Sequence, residues 1–313
     1  MSRRRGGRGL TVVAVVLSLA FVIAAAGLLR LVATGGGPAS APDAPAAPEL
    51  APAAFEDYSW QDVAQVAQRV AAAGSDEEGA QIAGDYNLGV GSSRQLVLGN
   101  DVAVEVRVVG VRQDVRSDGS GVAGLTFMTS PIGMRPMEPP STSEGGWQAS
   151  GLRAWLADDG RALLPAELSP LVVPVDKLTN NVGVTDDVAS VTTTSDALWL
   201  FSASEVCGSL TWFEDEYGAA PSAATGYVDF SAYDALLSGE GEQYAYFAQV
   251  GVTGSSDPAH VLALGSAWWY RTPYPYSFTG DDARYFYQVM SSGFPSSTGE
   301  ADADSGVVVG FCL

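Results

Sequence analysis

Residues 95–111 read QLVLGNDVAVEVRVVGV, and the alternation inside that stretch decides the fold class. Val102, Val104, Val106 and Val108 fall on one face, Glu105 and Arg107 on the other, and Gly99-Asn100-Asp101 supplies the turn. Two strands of a half-buried antiparallel sheet are expected. Beyond the loop RSDGSG, the run GLTFMTS predicts a third strand, and others are predicted at 171–175, 198–202, 261–264 with 267–271, 285–290 and 307–311. Between them Ser150 opens a helix through LRAWLA, and Ser231 with Asp234 signals one through YDALLS. Strands and helices mix without βαβ alternation, which predicts an α+β fold, mainly antiparallel, with short helices over residues 91–313.

Upstream, residues 55–90 predict a helical hairpin that leads into this domain. Ser59 with Asp62 resembles a capping box, and Trp60, Val63, Val66, Ala67 and Val70 recur at helical spacing. Gly74 ends the first helix, and Ser75 with Glu78 starts a second that runs to about Tyr86. Two such short amphipathic helices must lay their apolar stripe on something else.

Residues 34–54 are dominated by Pro and Ala and predict a semi-extended, disordered spacer. Before them, residues 10–29 are uncharged and mostly apolar, long enough for a bilayer core of roughly 30 Å. Residues 10–33 are therefore expected to form a transmembrane signal-anchor. Arg3, Arg4, Arg5 and Arg8 are expected to keep residues 1–9 in the cytoplasm, so the C-terminal domain should face outward from a single-pass protein of the cytoplasmic membrane. A cleaved signal peptide is the competing reading, but its apolar region is usually shorter, about 7–15 residues.

The chain has 16 Lys and Arg against 36 Asp and Glu, and after residue 30 there are 11 cations against 36 anions, a formal charge of −25. Such a surface repels phosphate backbones, so no nucleic-acid partner is expected. One His and two Cys cannot build a Cys/His zinc site, and a Ser-His-Asp triad could use only His260. With no nucleophile motif beside it, His260 is not expected to be catalytic, and the same holds for Lys177.

Five ordered motifs carry a family likeness: WQASGLRAWL (147–156), VDKLTNN (175–181), TTTSDALWLFSASEVCG (192–208), AWWYRTP (267–273) with RYFYQVMSSGFPS (284–296), and the terminal GVVVGFCL (306–313). Together they resemble the bacterial domain of unknown function 6273 over most of residues 58–313. The WWxRxP and terminal motifs are also distantly similar to C-type-lectin-like folds, including the formylglycine-generating-enzyme branch. That resemblance implies a fold, not an activity. The chemistry of that branch needs a reactive cysteine or a cysteine pair that binds copper, and only Cys207 and Cys312 are present.

In an exported domain those two cysteines are expected to form one disulfide, with two free thiols or redox chemistry as alternatives. Neighbours in a strand point to opposite faces, so one of Trp268 and Trp269 is expected in the core. The other, taken as Trp269, should join Arg271, Tyr274 and Tyr276 in an exposed ligand-binding surface. Trp147, Ser150, Arg153, Trp155, Glu205 and Trp268 are read as structural, with Arg153 expected to pair a buried acid such as Glu205. No cofactor is expected beyond a conceivable calcium ion at Asp281 and Asp282, or at Glu300, Asp302 and Asp304. The leading functional expectation is a cell-surface binding module for a glycan, peptide or envelope partner. The alternatives are an envelope enzyme whose acid/base groups are carboxylates such as Glu205, Asp281 or Asp282, and a structural surface protein.

Overall fold

The computed structural model describes residues 50–255, 257–277 and 283–313. The expected basic tip, the spanning segment and most of the Pro/Ala spacer lie outside the described residues. Among those described, no helix is long and apolar enough to cross a membrane.

The helical hairpin forms where its caps place it. Ser59 and Asp62 complete a reciprocal capping box at the start of α1 (Trp60–Ala71), and Ser75 accepts from the Glu78 amide at the start of α2 (Asp76–Asp85). The chain is already docked ahead of α1: Leu50 and Ala53 pack on the core, and the Ala53 amide donates to the Tyr58 hydroxyl at 2.7 Å. Residues 50–54 are thus tied to the core, although their composition predicts a disordered spacer.

The antiparallel pair follows as β1 (Ser93–Val97) and β2 (Ala103–Val111), then β3 (Leu125–Thr129) and β4 (Met134–Arg135). Two short helices, α3 (Gly146–Ala149) and α4 (Gly151–Trp155), lead to a hairpin of β5 (Val175–Asn180) and β6 (Val191–Asp196). The remaining elements are β7 (Trp199–Leu200), α5 (Ala203–Cys207), α6 (Trp212–Tyr217), α7 (Ser231–Ser238), α8 (Ala245–Gln249), β8 (Trp268–Pro273), β9 (Tyr285–Val289), β10 (Ser297–Glu300), β11 (Ser305–Gly306) and β12 (Val309–Cys312).

One sheet has the order β1-β2-β3-β12-β7 and the other β10-β9-β8-β11-β4, with β8–β11 as a parallel contact among otherwise antiparallel pairs. The expected mixed, mainly antiparallel α+β architecture is the one found. The last strand lies inside its sheet, between β3 and β7.

Several boundaries move. The strand expected at 171–175 is instead β5, because residues 169–171 make a 3-10 turn ahead of it. Residues 260–262 likewise form a 3-10 turn, with His260 exposed at its start, in place of the strand expected at 261–264. Ser231 is not the cap of α7; Asp234 turns away to accept the amides of Phe213 and Glu214, both at 2.9 Å.

Both faces of the central strands are covered, and this overturns the expectation that one tryptophan of β8 would be exposed. Trp268 and Trp269 do point to opposite faces, yet each is 0 % exposed, since a hydrophobic core lies on either side. Trp269 joins the core that contains the hairpin, where Trp60, Phe127 and Phe311 meet and the last two stack at 5.0 Å. Trp268 and Tyr270 join a second core built from α5 to α8. Adjacent β2 residues divide the same way, Val108 to the first core and Val109 to the second. Gly124 explains how closely α1 can approach: a Cβ there would lie 1.9 Å from the Ala67 carbonyl oxygen.

Candidate functional site

Three of the quoted motifs each contribute one charge to a common buried cluster. Lys177 comes from β5, Glu205 from the first turn of α5, and Arg271 from β8. Glu205 also completes the capping box of α5 with Ser202, which fixes its backbone while its carboxylate faces the two cations. All three side chains are buried.

Lys177 Nζ lies 2.6 Å from Asp114 Oδ1, 2.7 Å from Glu205 Oε1 and 2.8 Å from the Tyr244 hydroxyl, so its three donors are all used. Tyr244 in turn donates to Asp114 at 2.8 Å, and Thr126 donates to the other Asp114 oxygen at 2.5 Å. Arg271 spends its donors on Glu205 Oε2 at 2.5 Å, Thr179 Oγ1 at 2.7 Å, and the carbonyls of Leu178, Leu200 and Glu240. Glu240, fully buried, accepts from the Asn180 amide at 2.8 Å and from the Thr272 hydroxyl.

Burial pushes each of these groups toward its neutral form, and the neighbours decide the outcome. For Asp114 burial raises the carboxyl pKa, but Lys177 and the hydroxyls of Thr126 and Tyr244 hold it below the usual range. Glu205 is held down in the same way, against burial, by Arg271 and Lys177. The two cations resist burial through the same carboxylates, so Lys177 and Arg271 are held above their ordinary values. Glu240 is different: burial dominates and lifts it to about 7.

Chemically, the cluster is a saturated ion network. A charged, fully donated Lys177 offers no free amine for Schiff-base chemistry, and Glu205, held ionised by two cations, offers no acidic proton. Glu240 is pushed into the titration range of an acid/base group but is fully buried, without access to a substrate.

A family model described as Domain of unknown function (DUF6273) matches residues 123–313. The chain belongs to that family. The match starts just before β3, so Lys177, Glu205, Arg271, Tyr244 and Glu240 lie in the DUF6273 region, while Asp114 and the helical hairpin precede it. Neither the curated proteins nor the solved structures contain a match to the chain.

Among the clefts of the described residues, two bring polar and apolar side chains of the DUF6273 region together. One, of about 600 Å³, lies over the ion network, with Asp114, Lys177, Glu205 and Tyr244 in its lining and Asp176 and Glu242 exposed at its rim. The other, of about 430 Å³, is lined by Trp212, Phe213, Tyr274, Tyr287 and Phe294, with Asp215, Glu216, Ser296 and Thr298 as polar groups. Its rings are packed in series, Tyr274 lying 5.5 Å from both Phe213 and Tyr287, and Tyr287 lying 5.1 Å from Trp212. Tyr276 sits beside this cleft, edge-on to Phe230 and Tyr233 at 5.3 Å each.

The four residues expected to share one ligand surface are therefore split. Tyr274 and Tyr276 are half-buried at the aromatic cleft, whereas Trp269 and Arg271 are interior, because β8 is covered on both faces until it leaves the sheet at Pro273. Arg153 pairs Asp196 at 2.7 Å instead of Glu205, and Trp147 donates to the other oxygen of that aspartate at 3.1 Å. Ser150 caps α4 through the Arg153 amide, and Trp155 lies beneath Arg135, 4.0 Å from its guanidinium carbon.

Cys207 and Cys312 are not bonded to each other; both are buried free thiols, one in each core. Burial pushes the Cys207 thiol up to about 12, with Tyr270 as its polar neighbour, and pushes Cys312 well above its usual value, with Asp114 adding to the effect. Of the calcium candidates, Asp281 and Asp282 lie outside the described residues, and among the described residues no three His, Cys or carboxylate groups come together as metal ligands.

Sequence reasoning passed over Asp114, Tyr244 and Glu240. A signal was available for part of the rest of the network: Glu205 and Arg271 are each a single charge among residues that belong in a core, and a buried charge requires a partner, whereas Lys177 stands between the exposed Asp176 and Leu178.

Proposed function

We propose that this protein is a recognition module at the bacterial cell surface, held there by residues 10–33 crossing the cytoplasmic membrane with the N-terminus inside. The observation that carries the reading is the aromatic cleft, where Tyr274 and its ring neighbours stand beside Asp215, Glu216, Ser296 and Thr298. Aromatic faces pack on the C–H faces of sugar rings while carboxylates and hydroxyls take their O–H groups, so a glycan is the ligand class that this lining suits. Tyr276 packs edge-on against Phe213, one of the rings of that lining. The saturated ion network favours binding over turnover, since it rigidifies the region without offering a free acid, base or nucleophile. The likeness of β8 and the terminal strand to C-type-lectin-like folds belongs to the same proposal.

The test is a screen of the full chain, solubilised in detergent, on glycan and peptidoglycan-fragment arrays with and without calcium. Capture of a saccharide that Tyr274→Ala weakens at least about tenfold, while the variant still melts cooperatively and only a few degrees lower, would support the reading. A blank array in both conditions, or capture indifferent to Tyr274, would refute it. Digestion of the C-terminal domain by protease added to intact cells would support this orientation, and full protection there would overturn it.

A further inference from the structure

The cleft over the ion network has a lining that the saccharide proposal does not use. Its floor is electrically closed, since Asp114 and Glu205 are matched by Lys177 and Arg271. Lys177 has no N–H left to offer an incoming anion. The uncompensated charges are at the rim: Asp176 and Glu242 are both exposed, and neither forms an ion pair with a described residue.

Two aliphatic side chains face the same space with much of their surface uncovered, Val115 at 53 % exposed and Leu178 at 41 %. Exposed aliphatic walls beneath an acidic rim suit a ligand with an apolar stem and a cationic head. The volume of about 600 Å³ falls within the range of ligand clefts, roughly 300–1,000 Å³, and is enough for more than one side chain. The walls come from elements held by the network itself. Leu178 lies on β5 between Lys177 and Thr179, and Glu242 follows Glu240, whose carboxylate is tied to the Asn180 amide and whose carbonyl accepts from Arg271. A groove so braced loses little freedom when it is filled.

We propose that this cleft is a docking groove for a basic peptide segment, which lays the stem of a lysine or arginine against Val115 and Leu178 and turns its charged head toward Asp176 and Glu242. The groove selects for cations and against phosphates and carboxylates. It is separate from the aromatic cleft, so the two sites can fail independently.

The probe is fluorescein-labelled tetra-lysine, titrated against the detergent-solubilised full chain at low ionic strength and followed by anisotropy, with the same peptide acetylated at every side-chain amine as the control. Saturable binding is expected for the charged peptide alone. The double variant Asp176→Asn, Glu242→Gln should weaken it about tenfold and Leu178→Ser about threefold, while Glu77→Gln, an exposed acid on α2, should leave it unchanged. All three variants change exposed side chains, and an unaltered melting temperature confirms that each folds. Absence of binding, full affinity in the double variant, equal loss in Glu77→Gln, or equal binding of the acetylated peptide would each overturn the proposal. The last two would reduce the effect to general attraction by an acidic chain or to apolar adhesion.

Discussion

The two clefts differ in how their walls remain stable. Over β5 the floor consists of charges, and it exists only because every charge has a partner: five groups from five separate segments close one network with no described ionised atom left over. Around Tyr274 the wall consists of rings, whose edges tolerate partial exposure and whose contacts do not depend on one another to the same degree. A charged floor fails as a unit when one member is lost, whereas an aromatic wall erodes one ring at a time.

The strongest way to break that contrast is Arg271→Ala. It strands the Glu205 carboxylate and three backbone carbonyls in the interior, and a loss of about 3–5 kcal/mol in urea unfolding is expected, enough to prevent folding in a marginal background. A loss below about 1 kcal/mol would mean that the network is not closed.

A gentler probe is pH, through Glu240. Its folded pKa of about 7 lies above the ordinary 4.5, so between those values the folded chain retains a proton that the unfolded chain has released. Stability should therefore fall as pH rises from about 5 to about 7.5, by roughly 3 kcal/mol at most, and then level off. Asp114 and Glu205 act in the opposite sense. Both are held below their ordinary values, so their contribution is intact above the usual carboxylate range and disappears as pH falls below it. Chemical denaturation across pH should give a maximum near pH 5, and Glu240→Gln should flatten the neutral limb while leaving the acid limb in place.

Tyr274→Ala sharpens the comparison from the other side. It removes one half-exposed ring from contacts with Phe213 and Tyr287, and a stability loss of only about 1–2 kcal/mol is expected from the unfolding midpoint. A loss as large as that of Arg271→Ala would show that the aromatic wall also fails as a unit. Asp176→Asn, at the rim and outside the ion network, should change stability by no more than about 0.5 kcal/mol.

Local chemistry made much of this fold legible. The reciprocal capping box of α1, the cap of α4 and the valine alternation of β2 depend on residues close in sequence; the capping box of α5, just after the strand expected at 198–202, is equally local but went unread. The strands predicted at 261–264 and 171–175 were misplaced for a matching reason: a short apolar run has no period long enough to distinguish a strand from a 3-10 turn or to set its ends. The candidate site was half legible. Glu205 and Arg271 stand out as charges within core-forming segments, but Lys177 does not, and nothing local indicates that Arg271 faces Glu205 while Arg153 faces Asp196. Asp114, in a polar loop, looks like any solvated turn residue until Lys177, 63 positions away, is placed against it.

From the sequence by itself come the fold class, the family, the helical hairpin and the acidic net charge, because periodicity, caps and net charge are properties of neighbouring residues or of their sum. Only the tertiary structure decided that β8 is covered on both faces, that the two cysteines lie unbonded in different cores, and that an ion network and a ring of aromatics line separate clefts. Each of those outcomes depends on which distant segment covers a given face. Burial, pairing and pKa are set by that covering segment and not by the residue's own neighbours along the chain.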